Sequence, residues 1–367
     1  MRIVLTGGVS GGHIVPLIAV AGKIKEKNPG AEFLFVGPQG ELEERLMSAT
    51  QIPIKSVATG KMRRYFSWLN FLDVFRIPFG IVQALWILLW YMPDAIFSKG
   101  GAASFPVVLA GWLYRIPIMI HESDANPGLA NSMLGKLSTR VAVSYASAQI
   151  YFPAEQVVLT GSPLRPDIAS GDAQKARTLF SLHESKKTIF VWGGSQGAQV
   201  INDKIITILP ELLHKYQVIH QTGINNFEAV KHKAGELGIK AGREGYFPVA
   251  FIGEELKDVL AASDLIISRA GSSSIAEIAA NGKPAIIIPL DSSANGHQRM
   301  NAYAVAKVGG CIVLEENNIG NNMLREKIDE ILNDEALNAK LRTNIKNNFY
   351  HPEAAERIAE GILGMIK

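Results

Sequence analysis

RIVLTGGVSGGHIVP, residues 2–16, runs from an apolar stretch through four glycines to a histidine. RIVLT has the β-branched content of a strand buried on both faces, and the glycines permit a tight turn into a helix carrying His13. Such a turn offers backbone N–H groups at the positive end of a helix dipole, a setting that suits phosphate. The P-loop pattern fits in spacing alone, because His13-Ile14 stands where Lys-Ser/Thr is needed. The dinucleotide pattern GxGxxG fails at Val9, and the next strand, EFLFVG (32–37), does not end on an acidic residue. ATP hydrolysis and NAD chemistry are therefore disfavoured, while a purely structural turn stays open. At a helix N-terminus a neutral imidazole is favoured, so His13 reads either as a base facing a hydroxyl or as a ring packed into the turn.

Outward from this stretch the pattern repeats. Residues 54–57, 94–98, 117–121, 140–144 and 157–160 read as strands, separated mostly by helical patterns, which implies parallel βαβ units. A second strand emptying into glycines, TIFVWGGSQGA (188–198), restarts the series, and strands follow at 216–222, 246–252, 264–268, 284–289 and 311–314. The fold class expected is α/β, with two doubly wound parallel-sheet domains. TGSPLRPDI (160–168) reads as their junction, giving an N-terminal domain over 1–163 and a C-terminal domain over 164–345. Residues 346–367 are expected to form a helix returning to the first domain, with apolar residues at 355, 358, 359, 362, 363 and 366.

A chain of 367 residues accommodates two domains, and a net charge of +3 is too small to suggest nucleic acid. The single cysteine, Cys311, has no internal partner, and MRIVLT leaves no room for a signal peptide, so a cytoplasmic protein is expected. Residues 66–92 are rich in large apolar side chains. Their cleanest run, Ile77 to Met92, holds 16 residues and includes Pro78, Gly80 and Gln83, short of the roughly 20 needed to cross a bilayer. It reads either as a core helix or as an interfacial helix on a membrane, rimmed by Lys61, Arg63 and Arg64.

In the second half, Ser195 in GGSQGA and the serines of RAGSSSIAE (269–277) follow strands whose carboxyl ends converge on one crevice. Ser274 and Glu277 also match the S-x-x-E capping box, the plain reading of that turn.

Taken together, GGVSGGH (7–13), SKGGAASFP (98–106), HESDANPGLAN (121–131), TGSPLR (160–165), GGSQGA (193–198), RAGSSSIAE (269–277) and NGHQRMNA (295–302) resemble the MurG family of peptidoglycan glycosyltransferases, family 28. The seven motifs occur in order over almost the entire chain. The resemblance implies the GT-B fold, two Rossmann-like domains facing a cleft, and inverting transfer of N-acetylglucosamine (GlcNAc) from UDP-GlcNAc to the 4-hydroxyl of the N-acetylmuramic acid (MurNAc) of lipid I, making lipid II. It implies His13 and Glu122 as the catalytic residues, with His13 the general base. For the donor UDP-GlcNAc it implies Ser10, Gly11, Gly12, Asp124, Arg165, Ser195, Ile252, Ser272, Ser273, Ser274, Glu277 and Gln298. For the acceptor it implies Gly7, Gly8, Gly100, Gly101, Ser104, His121 and Asn131. The chain departs from relatives at Asp124, where many carry Asn, and at Ala102, where one carries Tyr. Lys99 reads either as a charge toward the lipid diphosphate or as an exposed surface lysine. No DxD-like clamp is present, so no metal and no cofactor is required by the sequence. The partners implied are UDP-GlcNAc, lipid I and the cytoplasmic face of the cell membrane, with no nucleic acid. Another GT-B enzyme, a lipid glycosyltransferase or a UDP-GlcNAc epimerase, is the alternative. A non-catalytic nucleotide-sugar binder is a third class.

Overall fold

The computed structural model describes residues 1–8, 11–38, 40, 47, 50–59, 68–194, 197–293 and 296–366. Seven parallel strands form one sheet: β1 (Arg2–Thr6), β2 (Glu32–Gly37), β3 (Ile54–Ser56), β4 (Ala95–Ser98), β5 (Ile118–Glu122), β6 (Arg140–Val143) and β7 (Val157–Leu159), in the order β3-β2-β1-β4-β5-β6-β7. Ile3, Val4, Leu5, Ile96, Phe97, Met119 and Ile120 are buried, because helices cover both faces of the sheet. A second parallel sheet contains β8 (Lys187–Trp192), β9 (Tyr216–Gln221), β10 (Tyr246–Val249), β11 (Leu265–Ser268), β12 (Ala285–Ile287) and β13 (Ile312–Val313), ordered β10-β9-β8-β11-β12-β13.

Both sheets reverse their strand order at one place, between β1 and β4 in the first and between β8 and β11 in the second. These switch points are where open α/β sheets leave a crevice beyond the carboxyl ends of the strands. The glycine turns after β1 and β8, SKGG after β4 and RAGSSS after β11 all begin there. The expected strand 246–252 stops at Val249: the chain then leaves the ladder, and the Ile252 N–H donates to Gln221 Oε1 at 3.0 Å.

Residues 1–165 together with 351–367 make one compact unit, and residues 166–350 make the other. In the first, Ile358, Ala359 and Ile362 of the helix Ala354–Leu363 are buried in the same core as Ile14, Leu17 and Ile24 of the helix Gly11–Lys27. Lys27 adds exposed ion pairs to Glu356 and Glu360, both at 2.8 Å.

The helix Trp68–Tyr91 includes the apolar run. Gly80, Ala84 and Leu88, spaced by four, form its buried stripe. A Cβ on Gly80 would overlap the Ala58 carbonyl oxygen, so only glycine fits that crossing. Outward face Phe79, Val82, Trp86, Leu89 and Trp90, with Trp86 63% and Trp90 70% exposed, and Trp112, Leu113 and Tyr114 are exposed on or just past the helix Phe105–Leu113. The segment is thus core on one side and an exposed aromatic face on the other. Lys61, Arg63 and Arg64 lie outside the described residues. Among the described residues no helix is long and apolar enough to cross a membrane.

Candidate functional site

At the first switch point the helix starts at Gly11, so Gly11, Gly12 and His13 form its first turn, where N–H groups have no partner within the helix. Ser10 lies outside the described residues. His13 Nδ1 accepts the Gly8 N–H at 2.9 Å. In the neutral ring the proton therefore sits on Nε2, and the lone pair on Nδ1 is occupied. Burial, and then the Lys99 ammonium, push the His13 pKa down to about 4, so the ring is neutral at physiological pH.

Gly100 and Gly101, with φ of 80° and 83°, turn the chain after β4 through a region that other residues rarely adopt. A side chain on Gly101 would come within 3.2 Å of the His13 ring. The turn is held from two sides: Ser98 Oγ accepts the Gly100 N–H at 3.0 Å, and Asn131 Oδ1 accepts the Gly101 N–H at 3.1 Å. Asn131 Nδ2 in turn donates to Glu122 Oε2, and Glu122 Oε1 accepts the Asp124 N–H, each at 2.8 Å. Burial, and then the Asp124 carboxylate, raise the Glu122 pKa. Glu122 thus holds the loop around Asp124 and, through Asn131, the turn beside His13. Ser104 Oγ donates to the Gly101 carbonyl at 2.9 Å, so its proton is spent within the turn.

Lys99 corrects the surface reading. It is 2% exposed, and its ammonium has no hydrogen-bond partner among the described residues. The stem passes beside Gly7, where a Cβ would lie 3.2 Å from Lys99 Cβ. Burial pulls the Lys99 pKa down to about 8, against the opposing pull of Glu122 and Asp124. The His121 ring is fully buried, with Nε2 3.0 Å from the Gly161 carbonyl and 3.2 Å from Ser144 Oγ, while its Nδ1 has no hydrogen-bond partner among the described residues. Arg165 closes the first unit, and its Nε is buried without a hydrogen-bond partner among the described residues.

At the second switch point the helix Ser272–Ala280 has Gly271 as its N-cap, with no side-chain cap. Ser272, Ser273 and Ser274 therefore occupy its first turn and Glu277 its second, which overturns the capping box. The box needed Ser274 outside the helix, but the chain enters helical geometry two residues earlier. This first turn, directly after β11, carries the half-exposed Ser273 and Ser274. Gln298 Oε1 accepts the Leu290 N–H at 3.0 Å, which leaves its NH2 group for other partners. Ile252 is buried beside the end of β9, and Ser195 lies outside the described residues.

Two supports were missed in the sequence. Asn301 Nδ2 donates to the Ala270 carbonyl at 3.1 Å, steadying the turn before Ser272. Arg269, in a largely buried ion pair with Glu316 at 2.5 Å, also reaches the Ile288 and Pro289 carbonyls. For Arg269 the signal available was a charged residue directly after an apolar strand; Asn301 lies within the helix His297–Lys307, where no local pattern marks it. Among the described residues no group of three or more His, Cys, Asp or Glu could hold a metal ion.

Residues 3–143 match the glycosyltransferase family 28 N-terminal domain, and residues 188–358 match the family 28 C-terminal domain. A Bacillus thuringiensis (strain Al Hakam) protein is 38% identical over 93% of this chain and 94% of its own length. It is named UDP-N-acetylglucosamine:N-acetylmuramyl-(pentapeptide) pyrophosphoryl-undecaprenol N-acetylglucosamine transferase 3. The crystal structure of Acinetobacter baumannii MurG superposes with a TM-score of 0.77 at 23% identity, covering 99% of both chains. A UDP-GlcNAc 2-epimerase from Neisseria meningitidis, bound to UDP-GlcNAc, gives 0.71 at 14% identity, with 99% of this chain and 100% of that one covered. The fold is thus common to transferases and epimerases, whereas the close sequence relative is a transferase. The chain belongs to glycosyltransferase family 28, and within it to the MurG transferases.

Proposed function

We propose that the protein transfers GlcNAc from UDP-GlcNAc to the 4-hydroxyl of the MurNAc of lipid I, with inversion, at the cytoplasmic face of the membrane. The observation that carries this reading is His13, a neutral imidazole in the first turn of a glycine-flanked helix, in a chain of this family. The acceptor oxygen bonds to the anomeric carbon as the bond from that carbon to the diphosphate oxygen breaks. The hydroxyl proton passes to His13, which takes it on Nδ1 once Gly8 releases that atom. The electron pair leaves on the UDP diphosphate, stabilised by the N–H groups of the Ser272–Ser274 turn.

In this reading the first unit binds the acceptor. The Gly7–Gly8 and Gly100–Gly101 turns supply clearance for its diphosphate, and the buried Lys99 supplies charge. The second unit binds the donor, with Ile252 against uracil, Glu277 on ribose and Gln298 on the sugar. The exposed aromatic face around Trp86 and Trp90 is the membrane-docking surface, since Trp side chains favour the bilayer interface.

The test is transfer of labelled GlcNAc from UDP to lipid I, with UDP-GlcNAc alone run alongside. Labelled lipid II supports the reading; epimer formed without acceptor overturns it.

A further inference from the structure

We propose that Gln221 is a positioning residue that ties the glycine turn after β8 to the Ile252 segment, and so sets the spacing between the two ends of a bound uridine diphosphate. The inference rests on the donor reading given above for the second unit, taken with the glycine turn after β8, the turn that leads to Ser195, at the diphosphate end and Ile252 at the uracil end.

Gln221 is the last residue of β9 and is 1% exposed. Its Nε2 donates to the Gly194 carbonyl at 2.9 Å, and its Oε1 accepts the Ile252 N–H at 3.0 Å. Its own carbonyl accepts the Gly193 N–H at 3.4 Å. One side chain thus spans two loops that leave different strands. Only a carboxamide donates and accepts at once in this geometry. A carboxylate keeps the Ile252 bond and opposes the Gly194 carbonyl, and a thioether satisfies neither.

The residues on either side prevent the backbone from yielding. His220 lies between Tyr246 Oη at 3.0 Å and Asn202 Oδ1 at 2.9 Å, fully buried. Asn202 Nδ2 donates to the Thr222 carbonyl at 3.0 Å, and Thr222 Oγ1 donates to the Val249 carbonyl at 3.2 Å. Gly197, with φ of 79°, rests against that Thr222 carbonyl with no space for a Cβ. A rigid strand end therefore holds Gln221, and Gln221 holds the loops. Removing the carboxamide would leave a part-buried carbonyl and a buried N–H unpaired, and the loops would be free to separate.

A spacing role predicts a loss for the ligand that touches both loops, beyond any loss for a ligand that touches one. Calorimetric titration of Gln221→Met and Gln221→Glu with UDP and with uridine reads this, with thermal melting of each variant alongside. The expected result is UDP binding weakened about tenfold or more, with uridine weakened less than about threefold, at a melting temperature that leaves the variants folded. Unchanged UDP affinity, or equal losses for UDP and uridine, would overturn the inference alone. Absence of UDP binding to the unaltered protein would overturn the donor reading, and this inference with it. If Gln221→Met does not fold, Gln221→Glu, which retains one of the two bonds, decides the outcome by the same comparison.

Discussion

His13 and Gly8 are joined by a 2.9 Å hydrogen bond from the Gly8 N–H to the ring Nδ1. The nitrogen able to take a proton thus faces the glycine turn, and the protonated one is left to point elsewhere. A catalytic cycle using His13 as base needs the turn to move. Replacing His13 with Ala should lower turnover by about 10²–10⁴-fold while leaving UDP affinity intact. Steady-state kinetics beside UDP titration checks both halves, and near-normal turnover removes His13 from the base role.

The same residue fixes an expected pH response. With a folded pKa of about 4 against 6.5 in the unfolded chain, the unfolded state binds more protons between those values. The His13 contribution to stability is therefore complete above pH 6.5 and is lost as pH falls toward 4. The acid limb of kcat/KM should lie near pH 4; a limb at 6.5 would contradict the buried neutral ring.

Lys99→Met removes a buried ammonium that has no hydrogen-bond partner among the described residues. Such a change should hold or raise the melting temperature while weakening kcat/KM for the diphosphate-bearing acceptor. The Lys99 pKa is about 8 folded and 10.5 unfolded, so its destabilising charge acts in full below about pH 8 and is relieved as pH rises to 10.5. The melting temperature of Lys99→Met relative to the parent should therefore show its largest gain below pH 8. A gain that is flat across the range would reject the charge account.

Trp86→Gln and Trp90→Gln remove apolar rings from the exposed aromatic face without adding charge, where the rings meet edge-on with centroids 5.8 Å apart. Each should weaken binding to anionic phospholipid vesicles about tenfold or more, without altering UDP affinity. Co-sedimentation reads the first effect; equal sedimentation of parent and variants would dismiss this face as the docking surface.

Gly80→Ala should destabilise the first unit by about 1–3 kcal/mol, because its Cβ would overlap the Ala58 carbonyl. Denaturant midpoints measure this, and an unchanged midpoint would show that the helix crossing can relax.

The sheets were legible because their central strands are uninterrupted apolar runs ending in glycine, as at Ile3–Leu5 and Ile189–Trp192. Strand ends were less legible. Val249 ends β10 because a side chain, Gln221, takes over the next inward amide, and no local pattern announces that exchange. At the site, glycines and His13 stood out by composition. Lys99 did not, since burial of a lysine depends on the β1 and β5 neighbours that cover it rather than on its own flanks. The Ser274 capping box misled because Gly271, free of a side chain, begins the helix without one.

The first unit is built from both ends of the chain, with the helix Ala354–Leu363 filling a place beside Gly11–Lys27. During synthesis the ribosome must translate the whole second unit before that helix emerges, an interval of roughly 10–40 s at ordinary elongation rates. Until then Ile14, Leu17 and Ile24 lack a covering layer, so the nascent first unit offers a chaperone a sticky face for a defined time. A premature stop between residues 166 and 354 leaves that face permanently open, and the truncated product is a substrate for proteolysis rather than a smaller functional protein.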